Sequence, residues 1–316
     1  MTAQSTSSVS TMGGLAAQAR LSLRTLRRRR WIGWAFILPW FIGFLIFDVG
    51  ALLLNFYLSM TTFTVGARTP DWVGFANYER VLVGDRLARL SFTNTVYFVS
   101  LSVPLGMLVA FTLALLLNSD IRGRGTFRTV YYLPSLVPVA AASIIWLFIF
   151  RTRNGLLNLA LGLVGINPIP WLSRPDWAKP ALVLMSLWFF GQQMVIYLAG
   201  LQGIPSELYE ASDIDGANSI HKLFKITIPL MTPMLFFNLV MGIIGSFQVF
   251  TAAFLMTQGG PVNATLFYML HLYNNAFRYF RMGYSSAMAV VLFVVILVLT
   301  LIVNKTSGRW VYYGGT

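Results

Sequence analysis

The sequence predicts an all-α integral membrane protein that crosses a bilayer about six times. Hydrophobic residues make up 57% of its 316 residues and charged residues make up 10%, whereas soluble domains carry about 45–50% apolar and about 25% charged residues. The apolar residues are gathered into stretches of roughly 20, the length with which a helix crosses a hydrocarbon core about 30 Å thick. We expect spans at about 31–58, 92–117, 130–150, 180–201, 230–256 and 286–303.

The first 30 residues differ from the rest of the chain in composition. They are rich in Ser, Thr, Ala and Gly, contain no acidic residue, and end in an arginine cluster beside Trp31. We expect this tail, 1–30, to be disordered and to lie in the cytoplasm, because Lys and Arg beside the first span mark that side. Six spans then place a short C-terminal tail, 305–316, in the cytoplasm as well, with one transmembrane domain, 31–304, between the tails.

The composition also excludes several kinds of chemistry. The chain has no cysteine and two histidines, His221 and His271, so disulfides, thiolate catalysis and metal sites built from several Cys or His are excluded. It has no G-x-x-x-x-G-K-[S/T] loop for ATP. The net charge of +13 is explained by membrane orientation rather than by nucleic-acid binding. We predict no metal site, no cofactor bound by this chain and no enzymatic activity.

One long polar segment, 205–233, interrupts the apolar pattern between the fourth and fifth spans. Its first part predicts a short helix, because Pro205 stops the preceding helix and Ser206 is a suitable N-cap. Glu207 and Glu210 suit the positive N-terminal end of such a helix. An ordinary amphipathic connector is the alternative interpretation of this pattern.

The second part of this segment predicts a turn and another short helix. Asp215-Gly216 is a turn signal, because glycine adopts a positive φ at no steric cost. The next helix is expected to run to about Ile226, and Pro229 and Pro233 are expected to close the unit. The segment 205–233 is therefore predicted to form a helix-turn-helix elbow, shaped for docking, and is called the elbow below.

Glu210-Ala211, Gly216 and Ile228-Pro229 form a spaced motif within the elbow. The motif resembles the EAA loop of ABC importer permeases, and its surroundings are similar to the carbohydrate branch, the maltose and glycerol-3-phosphate type. In that family the elbow is a coupling helix that sits in a cleft of a cytoplasmic ATPase. The residues to which the resemblance assigns this coupling are Glu207, Glu210, Ala211, Asp213, Asp215, Gly216, Phe224 and Pro229.

A shorter motif, Thr257-Gln258-Gly259-Gly260-Pro261, follows the fifth span. It resembles the T-x-G-G-P signature in an outer loop of sugar permeases, and a simple turn is the alternative interpretation. The resemblance implies that Gly259, Gly260 and Pro261 face an extracytoplasmic binding protein.

The resemblance covers most of the chain, from about Trp31 to Gly315. It implies a permease subunit that forms half of the pathway for a sugar and pairs with a second homologous permease. It also implies two ATPase subunits that use ATP and Mg, an extracytoplasmic binding protein, and a location in a bacterial or archaeal cell membrane. Glycerol phosphate is the alternative substrate of this branch. We expect no Arg or Lys inside a span, which favours a neutral sugar.

Polar residues within the predicted spans are candidates for the substrate pathway. Proteins bind sugars with aromatic rings against their apolar faces and with amides or hydroxyls against their oxygens. Gln192, Asn238 and Gln248 are the candidate polar groups, and contacts between helices explain each amide equally well. Asn238 and Gln248, ten residues apart, are expected on one side of the fifth span. Phe247 and Phe250 are the candidate stacking partners.

Two other function classes compete with an ATP-driven importer. An ion-driven secondary transporter needs carboxylates within the membrane, and Asp48 is the one acid predicted near that depth. A membrane enzyme needs an acidic metal-binding motif near a membrane face. The acids of the elbow are the candidates for that motif, and helix capping explains them better.

Overall fold

The computed structural model describes Trp34, 36–66 and 69–312. The predicted tail 1–30 lies outside the described residues, and so do residues 313–316. In the described part of the chain, four helices are long and apolar enough to cross a membrane, or six if two bent helix pairs each form one span. The expectation of an all-α protein with about six spans is therefore confirmed.

The chain divides after Tyr57 into two compact units, and the first contains most of the first span. This span is helix α1, Phe36–Ser59, with a π-helical section at Phe44–Gly50. Asp48 lies in that section and is exposed. Exposed apolar side chains such as Phe47 suit contact with lipid.

The second unit begins with a short helix and continues into the longest one. Helix α2 spans Ala76–Glu79 and runs into a π turn, Arg80–Gly84; helix α3 spans Arg86–Asn118. The structure starts α3 before residue 92, where the span was expected, because Asp85 caps it. The Asp85 carboxylate accepts a hydrogen bond of 2.8 Å from the Leu87 N–H, which satisfies one of the free donors of a helix start.

The third predicted span is broken rather than continuous. Helix α4, Arg124–Tyr132, ends in a 3₁₀ turn, Leu133–Leu136, and helix α5, Val139–Ile149, follows at an angle of 100°. The prediction of one helix over 130–150 is wrong in this respect. Proline lacks an N–H and disfavours helix at the residue before it, and Pro138 stands at the break in an extended conformation.

The fourth span is also bent, and it starts earlier than predicted. Helix α6 spans Leu156–Leu163, helix α7 spans Pro175–Ser186, and helix α8 spans Gly191–Gln202. The bend between α7 and α8 is 46°. Pro175 is the first residue of α7, a position that proline favours. Helix α7 therefore begins before residue 180, where the span was expected. Lys179 lies within α7, one residue before the predicted start of the span.

The elbow contains helix α9, Ser206–Ile214, and helix α10, Ser219–Lys222. Ser206 is the first helical residue rather than the N-cap, and the helix start has no side-chain capping hydrogen bond from its N-cap residue. Pro205 holds the cap position with the extended backbone that a cap requires.

The elbow does not close at its prolines. Helix α10 continues through a π turn, Leu223–Thr227, into helix α11, Ile228–Phe247, so that Pro229 lies in the first turn of α11 and Pro233 lies inside it. In the π turn the Ile228 N–H donates to the Leu223 carbonyl. The shifted hydrogen-bond pattern accommodates the N–H that proline lacks, and the predicted helix end is therefore wrong.

The fifth predicted span is interrupted near its far end. Helix α11 ends at Phe247, and helix α12, Thr251–Met256, begins after a break at which Phe250 has φ −140° and ψ −61°. We call residues 257–267 the glycine loop. After it, helix α13, Tyr268–Tyr273, runs into a π turn, Asn274–Arg278. Helix α14, Met282–Ser307, is the last.

Helix α3 is the centre of packing in the second unit, where it lies against α7, α8, α11 and α13. The elbow and the glycine loop lie at opposite ends of α11 and its continuation. The chain returns to the elbow end after α14, where the Tyr312 N–H donates to the Thr232 hydroxyl at 2.9 Å. The Trp310 and Phe236 rings meet edge to face there, 6.1 Å apart.

Candidate functional site: an elbow, a cavity and a loop

The turn of the elbow depends on the backbone of Gly216. Its φ is 75°, the left-handed region that glycine enters without strain. A Cβ built at Gly216 meets no atom within 4 Å, so the requirement for glycine comes from the backbone and not from crowding. Beyond the turn, the Asn218 side chain accepts a hydrogen bond of 2.8 Å from the His221 N–H and caps α10.

Two contacts brace the helices of the elbow against each other. The Tyr209 hydroxyl and the Thr227 hydroxyl are 2.9 Å apart and share a hydrogen bond. The Lys222 ammonium forms an ion pair with the Asp213 carboxylate. These side-chain contacts link α9 to α10 and to the π turn.

The elbow exposes large apolar side chains beside its acidic residues. Ile214 is 89% exposed, Ile220 69% and Phe224 61%. Exposed apolar residues with polar neighbours mark a docking surface. Of the three, the sequence motif had singled out Phe224 alone. The other predicted coupling residues are exposed except Pro229, which is half-buried: Glu207, Glu210, Ala211, Asp213, Asp215 and Gly216.

Ile214 and Ile220 stand on either side of the turn, and a sequence signal for them exists. Both are apolar residues next to the ends of short helices, in a segment with few other apolar residues.

A cavity of about 360 Å³ lies at the break between α11 and α12. Its size is in the range of small-molecule sites, about 300–1,000 Å³. It combines aromatic rings with hydroxyl and amide groups, which is the combination that sugars require. Lining residues that carry these groups are Phe98, Ser186, Phe189, Ser246, Gln248, Phe250 and Thr251.

The predicted pathway residues separate into three groups. Gln248 and Phe250 line the cavity. Phe247 is 3% exposed, within a buried cluster, and Asn238 is buried with its amide bonded to the Met234 carbonyl at 2.9 Å. Gln192 is exposed at the start of α8. Asn238 and Gln248 were expected on one side of a single helix; α11 ends at Phe247, and Gln248 follows as its C-cap residue.

The glycine loop is folded tightly on itself. The Thr257 and Thr265 hydroxyls are 2.6 Å apart, and the Thr265 hydroxyl also donates to the Gly260 carbonyl at 2.7 Å. Gly259 has a φ of 91°, and a Cβ there would lie 3.2 Å from Leu266. Of the motif residues expected to face a partner, Gly259 is buried and Gly260 and Pro261 are half-buried.

Near the glycine-loop end, a buried polar cluster joins α3, α13 and α14. The Asp85 carboxylate accepts hydrogen bonds from the Tyr284 hydroxyl at 2.7 Å and pairs with His271 Nε2 at 3.1 Å. Burial raises the pKa of Asp85, but hydrogen bonds from Tyr284, His271 and the Leu87 N–H outweigh it and hold this pKa below its ordinary value. The sequence motifs did not indicate this cluster, because its members are far apart in the chain.

The described residues bring no three His, Cys, Asp or Glu side chains together at a metal-binding distance. The described residues instead provide an exposed elbow at one end, a polar and aromatic cavity, and a compact loop at the other end.

The arrangement has known counterparts. A model of the family described as "Binding-protein-dependent transport system inner membrane component" matches residues 102–311. The chain is 42% identical to the probable ABC transporter permease protein YesP of Bacillus subtilis, over 96% of this chain and 98% of that protein. It is 33% identical to the trehalose/maltose transport system permease protein MalF of Thermococcus litoralis, over 87% of this chain and 93% of that protein.

A solved structure extends the likeness to three dimensions. One chain in the crystal structure of a bacterial ABC transporter involved in the import of the acidic polysaccharide alginate superposes with a TM-score of 0.79. The two chains are 25% identical, and the match covers 91% of this chain and 99% of the other. The chain therefore belongs to the family of binding-protein-dependent transport system inner membrane components, and it is a permease subunit of an ABC importer.

Proposed function

We propose that this permease forms half of the pathway for a sugar that an extracytoplasmic binding protein delivers. The observation that carries the proposal is the cavity at the break between α11 and α12, where Gln248 and Phe250 meet Ser186 and Phe189. Rings and hydroxyl or amide groups in one space suit a pyranose, which presents apolar faces and polar edges. The trehalose/maltose permease among its relatives supports the same substrate class.

The elbow is the proposed contact with a cytoplasmic ATPase. Its exposed residues Ile214, Ile220 and Phe224 provide an apolar knob, and its acids favour a basic rim on the partner. Two ATPase subunits bind and hydrolyse ATP with Mg, and this chain converts their closure into movement of its helices. Exposed coupling surfaces require a partner, which supports an assembly rather than an ion-driven transporter that works alone.

The remaining parts of the assembly follow from this placement. A second, homologous permease supplies the other half of the pathway. The elbow end, with the C-terminal segment beside it, lies in the cytoplasm, and the glycine loop faces the binding protein outside the cell membrane. The substrate class includes mono-, di- and oligosaccharides.

The proposal is tested by purifying the tagged chain from its native membrane in mild detergent and by reconstituting the co-purifying proteins in liposomes. We expect a second permease and a Walker-motif ATPase, and ATP-dependent uptake of a sugar once the binding protein is added. Replacing Gln248 by Leu removes one amide contact, and the KM for uptake is expected to rise about tenfold, equivalent to about 1.4 kcal/mol. Gln202→Leu, an exposed amide outside the cavity, is the matched control.

The ATPase contact is tested separately with Glu210→Lys. This change is expected to remove the ATPase from the purified complex, whereas Glu79→Lys, an exposed acid at the other end of the unit, is expected to leave it bound. Uptake without ATP that collapses with the proton gradient would contradict the importer and support a secondary transporter.

A further inference from the structure

Asn94 of α3 connects the glycine loop to a second helix. Its side chain is 2% exposed. Its amide group donates to the Asn263 carbonyl at 2.9 Å and to the Leu266 carbonyl at 3.2 Å. Its carbonyl oxygen accepts from the Lys179 ammonium of α7 at 3.2 Å. Both amide hydrogens and the amide oxygen are thus used, and they join parts of the chain that are far apart in sequence.

Lys179 has neutral partners on α3. Its ammonium lies 4.8 Å from the centre of the Tyr97 ring, a cation–π distance, in addition to the hydrogen bond with Asn94. Among the described residues it forms no ion pair, and the acid three residues earlier, Asp176, pairs with Arg174 at 3.0 Å. The position of this half-buried cation is therefore set by α3.

Lys179 stands one helical turn from the cavity. Leu182 and Ser186 follow it at three and seven residues, on the same face of α7, and both line the cavity. On α3, Phe98 follows Asn94 by four residues and lines the same cavity. The Asn94–Lys179 pair thus links the two cavity walls where they approach the glycine loop.

The tip of the glycine loop combines exposure with backbone strain. Val262 is 85% exposed and has a φ of 49°. A β-branched residue in this region is a strained outlier, and such strain persists where the surroundings fix the backbone. Contacts with α3 fix the backbone here. The Asn94 amide donates to the Asn263 and Leu266 carbonyls, which we call the base of the loop. The Thr95 hydroxyl accepts a hydrogen bond from the Tyr268 N–H at 2.9 Å.

We propose that Asn94 and Lys179 are positioning residues that connect the glycine loop to the wall of the cavity. A binding protein that docks on the strained tip at Val262 displaces the base of the loop, Asn94 moves with its two carbonyl partners, and Lys179 passes the shift to α7. This inference rests on the proposed function, because it requires a binding protein at this loop. It adds the residues through which docking is sensed.

The test measures ATP hydrolysis by the complete complex in lipid discs, with and without sugar-loaded binding protein. Asn94→Asp keeps the acceptor for Lys179 and loses both donors to the loop. Lys179→Met keeps the loop contacts and loses the link to α3. For each variant we expect the stimulation by the binding protein to fall about fivefold or more, with the basal rate of hydrolysis per assembled complex unchanged.

Two variants serve as controls. Lys179→Arg preserves a donor and a charge and is expected to retain stimulation. Ser100→Ala removes an exposed hydroxyl of α3 that bonds to the Tyr97 carbonyl within its own helix, and is also expected to retain it.

The other outcomes of this experiment contradict either the inference or the proposed function. Equal stimulation of wild type, Asn94→Asp and Lys179→Met would overturn the inference. A proportional fall of the basal and stimulated rates would overturn it too, because it indicates a merely structural role. If Asn94→Asp fails to assemble, Lys179→Met alone decides. A wild-type complex that no binding protein stimulates would instead contradict the proposed function.

Discussion

The elbow and the glycine loop both turn at a glycine with positive φ, Gly216 in one and Gly259 in the other. They differ in where their hydrogen bonds go. The elbow is braced by contacts among its own residues, such as Tyr209 with Thr227, and most of its surface is exposed. The glycine loop exposes its tip, and its base is bonded to α3 by Asn94.

Because of this difference, mutations in the two regions are expected to affect different properties, namely partner binding and stability. A surface with free apolar groups and internal braces loses partner binding when it is mutated, with little effect on folding. A buried base with inter-element hydrogen bonds loses stability, because each broken contact leaves a buried polar group unpaired. We therefore expect elbow variants to fold but to lose partner binding, and variants at the glycine-loop end to have a lower melting temperature.

The largest effect is expected for Gly216→Pro. Proline fixes φ near −65°, and the turn requires 75°, so α9 and α10 lose their relative orientation. Uptake in reconstituted liposomes is expected to fall to background. Gly216→Ala is the control: it fits the open space around the turn and costs about 1 kcal/mol of strain, so it is expected to retain part of the uptake. Wild-type uptake by the proline variant would refute the role of the turn.

A large effect on assembly is expected for Ile214→Ser. In the proposed contact Ile214 is buried against the ATPase, and its loss is expected to weaken binding by about 2 kcal/mol, or roughly thirtyfold. The melting temperature of the isolated chain is expected to stay unchanged. Leu163→Ser is matched to it, since both side chains are 89% exposed, and it is expected to leave ATPase binding intact. Pull-down with the ATPase and a thermal melt measure both quantities.

A moderate loss of stability is expected for Asp85→Asn. The variant weakens the hydrogen bonds with Tyr284 and His271, and we expect a loss of about 2 kcal/mol. Because the pKa of Asp85 is held below its ordinary value of 3.8, its stabilisation is present above that pH and is lost as the pH falls through the lower folded-state pKa. Thermal melts between pH 3 and pH 7 test this, with the exposed Asp71→Asn as control.

The smallest effect is expected for Asp213→Asn. It breaks the ion pair with Lys222, but the Asp213 side chain is 64% exposed, and such pairs contribute about 0.5 kcal/mol. A change of the melting temperature as large as that of Asp85→Asn would erase the contrast between the two regions.

The sequence predicted the elbow well, since its evidence is local. Gly216 requires a conformation that is read from one residue, and the acids that begin α9 and the turn after it follow from neighbouring positions. The span count also follows from local composition. The helix ends were less accurate: Pro229 and Pro233 were expected to stop a helix that a π turn carries through to α11.

The cavity could not be predicted from neighbouring positions in the sequence. It exists because α11 ends at Phe247 and α12 starts again at Thr251, with Phe98 and Ser186 brought beside that break by other helices. The sequence pointed to Gln248 and Phe250 by polarity and aromaticity. It pointed to Asn238 by the same criteria, although packing buries that amide against its own helix. The Asn94–Lys179 contact, 85 residues apart, requires the tertiary fold.

The π turn at Leu223–Thr227 joins the elbow to the cavity through one continuous helix. From Ser219 to Phe247 the chain is helical without interruption, a length of about 42 Å at 1.5 Å per residue. A rigid rod of that length that tilts by about 5° about its elbow end moves its far end by about 4 Å. A small tilt of α10 is therefore enough to open or close a space the width of a sugar ring beside Gln248.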